Sequence, residues 1–380
     1  MAAPASGDIV IFLKGVRKTI DRIESKLEEY VEEFCRLPKL IMEAFRAGGA
    51  DLSAQVNLSL KSQLQKNLSD IYMCLKLHLA LHLGGDIALQ HKELSTLGYD
   101  ILKLSEPEVP EVNTLPDERH AIDPGSKVLE ILSDMAHHFV AQRYSEQHAD
   151  YVMEEAKAYF SSLSSKNIFQ PKVLVKVSHN SQFFVGCSLS ASSFLRPLCL
   201  HNRIVKFKRR LKEAVVLDTP LHPGDQGEKW SSSAFMRGNK NDRPPDNQKD
   251  NLNEKRRIRY TEPKEPCRNC QVIFQNLEGF IPTDAKAGNR DTFQGACAEY
   301  IPVNELTKVD AQDPSDAVQG KLAENLKRCI YLFQNYNELV KECYDMDIET
   351  LKNDQQLLTA AYYKIKQYIH IFGFIPELKM

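Results

Sequence analysis

The chain has no long apolar run, no excess of charge of one sign and no regular cysteine framework. Its 380 residues include 49 Lys and Arg against 51 Asp and Glu, a net charge of -2. Any binding of nucleic acid or of an anionic surface must therefore depend on a local patch. The longest apolar runs are too short to span a bilayer, so we expect no membrane partner. Residues 1–7 are mostly small and carry no charge. Because a secretory signal begins with a basic region, this segment predicts that there is no secretory signal.

Several common functional motifs are also missing. No G-x-x-x-x-G-K-S/T, G-x-G-x-x-G or H-E-x-x-H pattern occurs, which argues against the usual phosphate-binding loops and the zinc-protease helix. The nine cysteines are odd in number and scattered. Without an export signal we expect a cytoplasmic or nuclear protein with reduced thiols. A close cysteine pair in such a protein indicates metal or redox chemistry rather than a disulfide.

Apolar spacing predicts that residues 1–168 form an antiparallel helical bundle. One seam with alternating spacings of three and four contains Leu13, Val16, Ile20, Ile23, Leu27, Tyr30 and Phe34, as on one face of a helix. Pro38 should kink or end this helix. A second face contains Leu60, Leu64, Leu68, Ile71 and Leu75. We expect this module to regulate the protein or to mediate association, with a protein partner or with itself.

The pattern changes to alternation after Gln170-Pro171. Val173, Val175 and Val177 mark a strand, and a turn at residues 179–181 predicts a returning strand over 183–189. Further strands are predicted over 204–207 and 215–217. Residues 219–253 are rich in Pro, Gly, Asn, Asp and Lys and predict a flexible insertion. The end of the chain is again helical. The expected class is α+β, with an α/β domain over residues 169–380.

The most concentrated chemistry begins at Cys267 and Cys270. Pro266 precedes this C-x-x-C pair, and proline is well tolerated at a helix start. Cysteines three residues apart on the first turn of a helix point in the same direction. We expect the helix dipole to lower their thiol pKa values and so to favour the thiolate form, which binds zinc. A third cysteine, Cys297, stands two residues before Glu299. Three protein ligands leave one zinc position open for water, as in catalytic sites, and a neighbouring carboxylate can move protons.

These two segments resemble the cytidine deaminase-like superfamily. The segment 266–270 matches its P-C-x-x-C element, and Cys297-Ala298-Glu299 is similar to its H-A-E or C-A-E element. The two elements stand here in the reverse of the family's usual order.

The resemblance implies a deaminase-like α/β/α domain with a central mixed sheet and the two ligand-bearing helices packed together. It further implies that Cys267, Cys270 and Cys297 hold zinc and that Glu299 is the catalytic proton shuttle. The reaction would be hydrolytic loss of ammonia from a nucleobase, a nucleoside or a base of single-stranded nucleic acid.

Other interpretations of the same residues stay open at this point. A fourth ligand from Cys187, Cys199 or His201 would make the zinc structural and the protein a non-enzymatic interaction protein, a pseudo-deaminase. Unligated buried thiols and a redox pair of Cys267 and Cys270 are further alternatives. For Glu299 the alternative is an acid that favours the first turn of a helix.

Two basic segments predict either phosphate contacts or solvated surface. The first contains Arg203, Lys206, Lys208, Arg209, Arg210 and Lys212, and the second is the run 255–260. Because the net charge of the chain stays near zero, the solvated surface is the favoured interpretation.

Overall fold

The computed structural model describes residues 5–47, 58–103, 115–139, 142–221, 230–237, 260–263, 267–274, 277–278, 294–307 and 313–369. Most of this part of the chain is helical, and one small sheet lies in the second half. The structure thus agrees with the α+β class. None of the described helices combines the length and apolarity that crossing a membrane requires.

The helices of the first half are α1 (Ser6–Glu24), α2 (Leu27–Phe34), α3 (Arg36–Ala47), α4 (Leu58–Leu83), α5 (Gly85–Gln90), α6 (Lys92–Lys103), α7 (Pro124–Phe139) and α8 (Glu146–Ser162). A short 3-10 helix precedes α7 at Glu118–His120. The second half contains β1 (Val173–His179), β2 (Gln182–Cys187), α9 (Arg196–Val205), α10 (Arg209–Leu217), β3 (Trp230–Arg237), β4 (Tyr260–Pro263), α11 (Arg268–Ile273), β5 (Leu277–Glu278) and α12 (Tyr300–Leu306). It ends with α13 (Asp316–Gln334), α14 (Tyr336–Asp345), α15 (Ile348–Leu351) and α16 (Gln355–Ile369).

The predicted N-terminal seam is buried. Ile9, Leu13, Val16, Ile20 and Ile23 form the buried face of α1. The seam does not belong to one continuous helix, because α1 ends at Glu24 and α2 begins at Leu27. Pro38 lies in the first turn of α3, where its missing N–H needs no intrahelical partner. Because a proline ring clashes with the carbonyl group four residues earlier, the helical run is interrupted after Phe34, where α2 ends, as we expected.

The first described helix packs against the last three described helices. Helix α1 contacts α14, α15 and α16. The rings of Phe12 and Tyr362 meet edge to face with centroids 5.1 Å apart, and Arg17 donates to the carbonyl oxygen of Tyr344 at 2.6 Å. Helix α13 in turn contacts α9 and α10.

The predicted hairpin is present. Strands β1 and β2 pair antiparallel, with Val175 opposite Gly186. Asn180 and Ser181 form the two-residue turn, and both adopt positive φ angles, 48° and 63°, as tight hairpins with the native twist require. The strand order is β2-β1-β3-β4, and β5 pairs with β3 in parallel, so the sheet is mixed.

Two local expectations were wrong. Residues 204–207 and 215–217 are not strands: the first span overlaps the end of α9 and the second is the end of α10. Short apolar runs do not distinguish a strand from a buried helical turn. Conversely, Trp230–Arg237 forms β3 within the predicted flexible insertion. Its three consecutive serines do not predict a strand from sequence. The strand pairs with β1 along most of its length, so it is specified by this tertiary contact more than by its own residues. Residues 222–229 and 238–253 lie outside the described chain.

Helices cover both faces of the hairpin. Lys176 forms an ion pair with Asp150 of α8 at 2.6 Å, so α8 lies on the face that Lys176 occupies. A Cβ added to Gly186 would meet the carbonyl oxygen of Ala298, next to α12. Because Gly186 pairs with Val175 and successive residues of a strand alternate between faces, α12 lies on the opposite face. The segment that carries Cys297 thus packs directly on the sheet.

Candidate metal centre

The three cysteines lie where two short helices begin. Cys267 is the residue that precedes α11, and Cys270 lies in the first turn of that helix. Cys297 lies two residues before Glu299, which precedes α12. The Sγ of Cys267 is 3.5 Å from that of Cys270 and 3.3 Å from that of Cys297. Two helix starts separated in sequence therefore bring three sulfur atoms together.

This geometry suits a metal ion. The three ligand atoms all lie within 4.8 Å of one another. In a tetrahedral zinc site with zinc–sulfur bonds of about 2.3 Å, neighbouring sulfurs are about 3.8 Å apart. A small outward movement of the sulfurs would therefore admit the ion. Soft thiolates are also the ligands that zinc and iron–sulfur clusters prefer, so the three cysteines could hold such a metal.

Glu299 lies beside this group. Its Oε2 is 3.5 Å from the Sγ of Cys270, and the side chain is buried, with 5% of the residue exposed. Its carboxylate is not a member of the set of ligand atoms that lie within 4.8 Å of one another. The arrangement places an acid next to the sulfur cluster but outside it.

Two of the three thiols have raised pKa values. Burial raises the pKa of Cys270 well above its ordinary value, and the hydrogen bond with Cys267 is the main cause that raises the pKa of Cys297. We expected the helix start to lower the pKa of Cys270, but burial outweighs the helix dipole and raises it. Thiolates 3.3 to 3.5 Å apart repel one another in a medium of low dielectric constant. A cation that joins them removes this penalty, so binding would release protons.

None of the three fourth ligands considered from the sequence joins the cluster. Within the described ranges, Cys267, Cys270 and Cys297 are the one such group of His, Cys, Asp and Glu donors. The Sγ of Cys187 lies 3.6 Å from Ser126 Oγ, Cys199 is buried in α9, and His201 is 4% exposed. The cluster thus offers three protein ligands in the part of the chain that the structure covers.

Main-chain contacts hold the two segments that carry the cysteines in place. The amide of Leu189, just after β2, donates to the carbonyl oxygen of Ala296 at 2.8 Å. On the other segment, the amide of Leu221 donates to the carbonyl oxygen of Ile273 at 2.8 Å. Gly295 has a φ of 83°, a conformation that glycine adopts without strain. The turn before Cys297 therefore depends on a glycine.

Two residues of the first basic segment have a structural role that the sequence pattern did not indicate. Arg203 is 5% exposed, and Nζ of Lys208 donates to the carbonyl oxygens of Glu305 and Thr307 at the end of α12. Neither is free to bind phosphate as placed. The one feature of the sequence that drew attention to these two residues was their position in a basic cluster. Of the second basic run, residues 255–259 lie outside the described chain, and Tyr260 is buried.

Two cavities lie away from the cysteines. One of about 690 Å³ lies beside β2 and is lined by residues that include His148, Tyr144 and Phe184. The other, of about 520 Å³, lies between α1 and the segment 344–349. Neither is lined by a cysteine of the cluster.

Comparison with known proteins gives no relative. No family model, no curated protein and no solved structure matches this chain.

Proposed function

We propose that Cys267, Cys270 and Cys297 bind one zinc ion and that the protein is a zinc-dependent hydrolytic deaminase of a nucleobase, a nucleoside or a nucleic acid base. The observation that carries this proposal is the convergence of three sulfurs with a buried carboxylate beside them. Within the described chain no fourth donor completes the group, which supports an open coordination position. The helical first half would act as a regulatory or association module.

A bound zinc would lower the pKa of a water molecule in its open position toward neutrality. Glu299 would accept a proton from that water and deliver it to the departing amino group. One molecule of water is consumed: a carbon–oxygen bond forms at the ring carbon, the carbon–nitrogen bond breaks, and ammonia leaves. The burial of Glu299 suits this role, since fixed charges act more strongly where water is excluded.

The surrounding architecture is compatible with a deaminase-like layered domain. The sheet is mixed, and helices pack on both faces of the β1–β2 hairpin. Both motif segments stand at helix starts, as the resemblance implies. Their reversed order along the chain does not prevent zinc binding, because the metal responds to the position of its ligands and not to their sequence.

The test is substitution of Glu299 by Gln, which keeps the size of the side chain and removes its ability to carry a proton. Purified wild-type protein should release ammonia from at least one of three substrate classes: free bases, nucleosides or single-stranded nucleic acid. Glu299→Gln should retain zinc and melting temperature and lose ammonia release by about 100-fold or more. A matched control is Glu305→Gln on the exposed side of α12, the helix that follows Glu299, which should retain activity. A wild type inactive on all three classes contradicts the proposed reaction.

One observation favours a second function. Cys270 and Cys297 are buried and Cys267 is half-buried, and neither cavity described above is lined by these cysteines. A structural zinc that fixes the second half of a non-enzymatic interaction protein would need no access for substrate. X-ray absorption at the zinc edge separates the two functions. Three sulfurs and one exchangeable oxygen support the deaminase, whereas four protein ligands support the structural zinc.

A further inference from the structure

Arg203 contacts the segment 295–298 that carries Cys297, here called the ligand loop, through main-chain oxygens. Its Nη2 donates to the carbonyl oxygen of Cys297 at 3.3 Å and to that of Cys187, at the end of β2, at 3.0 Å. Its Nη1 lies 3.5 Å from the carbonyl oxygen of Ala296. One planar guanidinium therefore joins the sheet to the two peptide groups that flank Cys297, the third sulfur ligand.

Asp123 forms an ion pair with the same guanidinium. Its Oδ2 lies 3.5 Å from Nη1 of Arg203 and accepts from Ser126 Oγ at 2.5 Å. Both charged side chains are 4% exposed. A buried ion pair of this kind rarely stabilises a fold more than apolar residues of the same shape would. The ion pair instead orients the guanidinium of Arg203, which contacts the ligand loop.

We propose that Arg203 is a positioning residue of the metal centre, oriented by Asp123, and that it sets the place of Cys297 relative to Cys267 and Cys270. This inference rests on the metal site proposed above. Groups that orient a ligand from outside the coordination shell commonly change metal affinity by 10- to 100-fold. Lysine cannot replace arginine at such a site, because a single ammonium cannot bridge several oxygens in one plane.

Lys208 provides a matched control. It contacts the far end of α12, the helix that follows Cys297, through the carbonyl oxygens of Glu305 and Thr307. Loss of this contact should loosen the end of α12 and leave the loop of Cys297 unchanged. A purely structural role for Arg203 predicts that the two cations behave alike.

The experiment measures zinc affinity by competition with a chromophoric chelator, under reducing conditions, for the full chain. Arg203→Lys and the double variant Arg203→Met with Asp123→Asn are compared with wild type and Lys208→Met. The double variant leaves no buried charge unpaired, which protects folding. The melting temperature of each metal-free protein and the visible spectrum of its cobalt-substituted form are recorded in parallel.

We expect both Arg203 variants to bind zinc 10- to 100-fold more weakly, with altered cobalt–thiolate bands. Lys208→Met should match wild type in affinity and spectrum even if its melting temperature falls. Arg203 variants with wild-type affinity and spectrum overturn the positioning role while leaving the metal site intact. A wild type that binds no zinc overturns the metal site and the positioning role together.

Discussion

Replacing Gly186 by alanine should disturb the metal centre from the sheet side. The added Cβ would lie 2.5 Å from Cδ of Pro302 and would also meet the carbonyl oxygen of Ala298. Carbon atoms in contact are ordinarily about 3.5 Å apart or more, so the segment 297–302 must move by about 1 Å. The carbonyl oxygen is part of the main chain and cannot rotate away as a flexible side chain would. Overpacking of this kind costs about 1–3 kcal/mol of the free energy of unfolding.

The movement should also weaken metal binding, because it displaces the residue next to Cys297. We expect zinc affinity to fall on the order of tenfold. Stability is measured by urea unfolding in the presence of a chelator, and affinity by chelator competition. Gly320→Ala is the matched control, since Gly320 lies within α13 with nothing within 4 Å of its added Cβ. That control should gain about 0.5–1 kcal/mol and keep its affinity. If Gly186→Ala equals Gly320→Ala in both measurements, the close packing of the ligand segment on the sheet is refuted.

Two further predictions concern pH. Burial lowers the pKa of His78 to about 4 and that of His82 to about 3, so between pH 6.5 and these values the unfolded chain binds protons that the folded chain does not. The stability that these neutral histidines contribute is fully present above pH 6.5. The free energy of unfolding should therefore fall by roughly 3–4 kcal/mol between pH 7 and pH 5. Urea unfolding measures this change, and a urea midpoint that is the same at both pH values would contradict the burial of the two histidines. Second, because the metal-free thiols of Cys270 and Cys297 have raised pKa values, zinc affinity should increase by about tenfold or more per pH unit between pH 6 and pH 8. Proton release into a weakly buffered indicator measures this directly, and no release on zinc addition would contradict it.

Periodicity was informative where a segment exposes one face and buries the other. The apolar seam of α1 and the hairpin of β1 and β2 follow directly from spacings of three or four and of two residues. These patterns succeed because the local geometry of the chain and its burial agree.

The sequence pattern did not predict secondary structure correctly where tertiary contacts determine it. The ends of α9 and α10 are short apolar runs with no period, and β3 is specified by pairing with β1 more than by its own serines. For the site, spacing located Cys267, Cys270 and Cys297, since thiols near helix starts are a local signal. Arg203 and Asp123 could not be assigned, because a buried ion pair between residues distant in sequence has no local signature.

The most direct test of the central claim is the zinc stoichiometry of the purified, reduced chain, measured by native mass spectrometry for wild type and for Cys297→Ser. Three converging thiolates predict one zinc per wild-type chain, retained during dialysis, and clear loss of that zinc in the variant. A wild type without zinc after incubation with an excess of the metal, or a Cys297→Ser variant that retains it fully, would contradict the claim that these three cysteines form one metal centre.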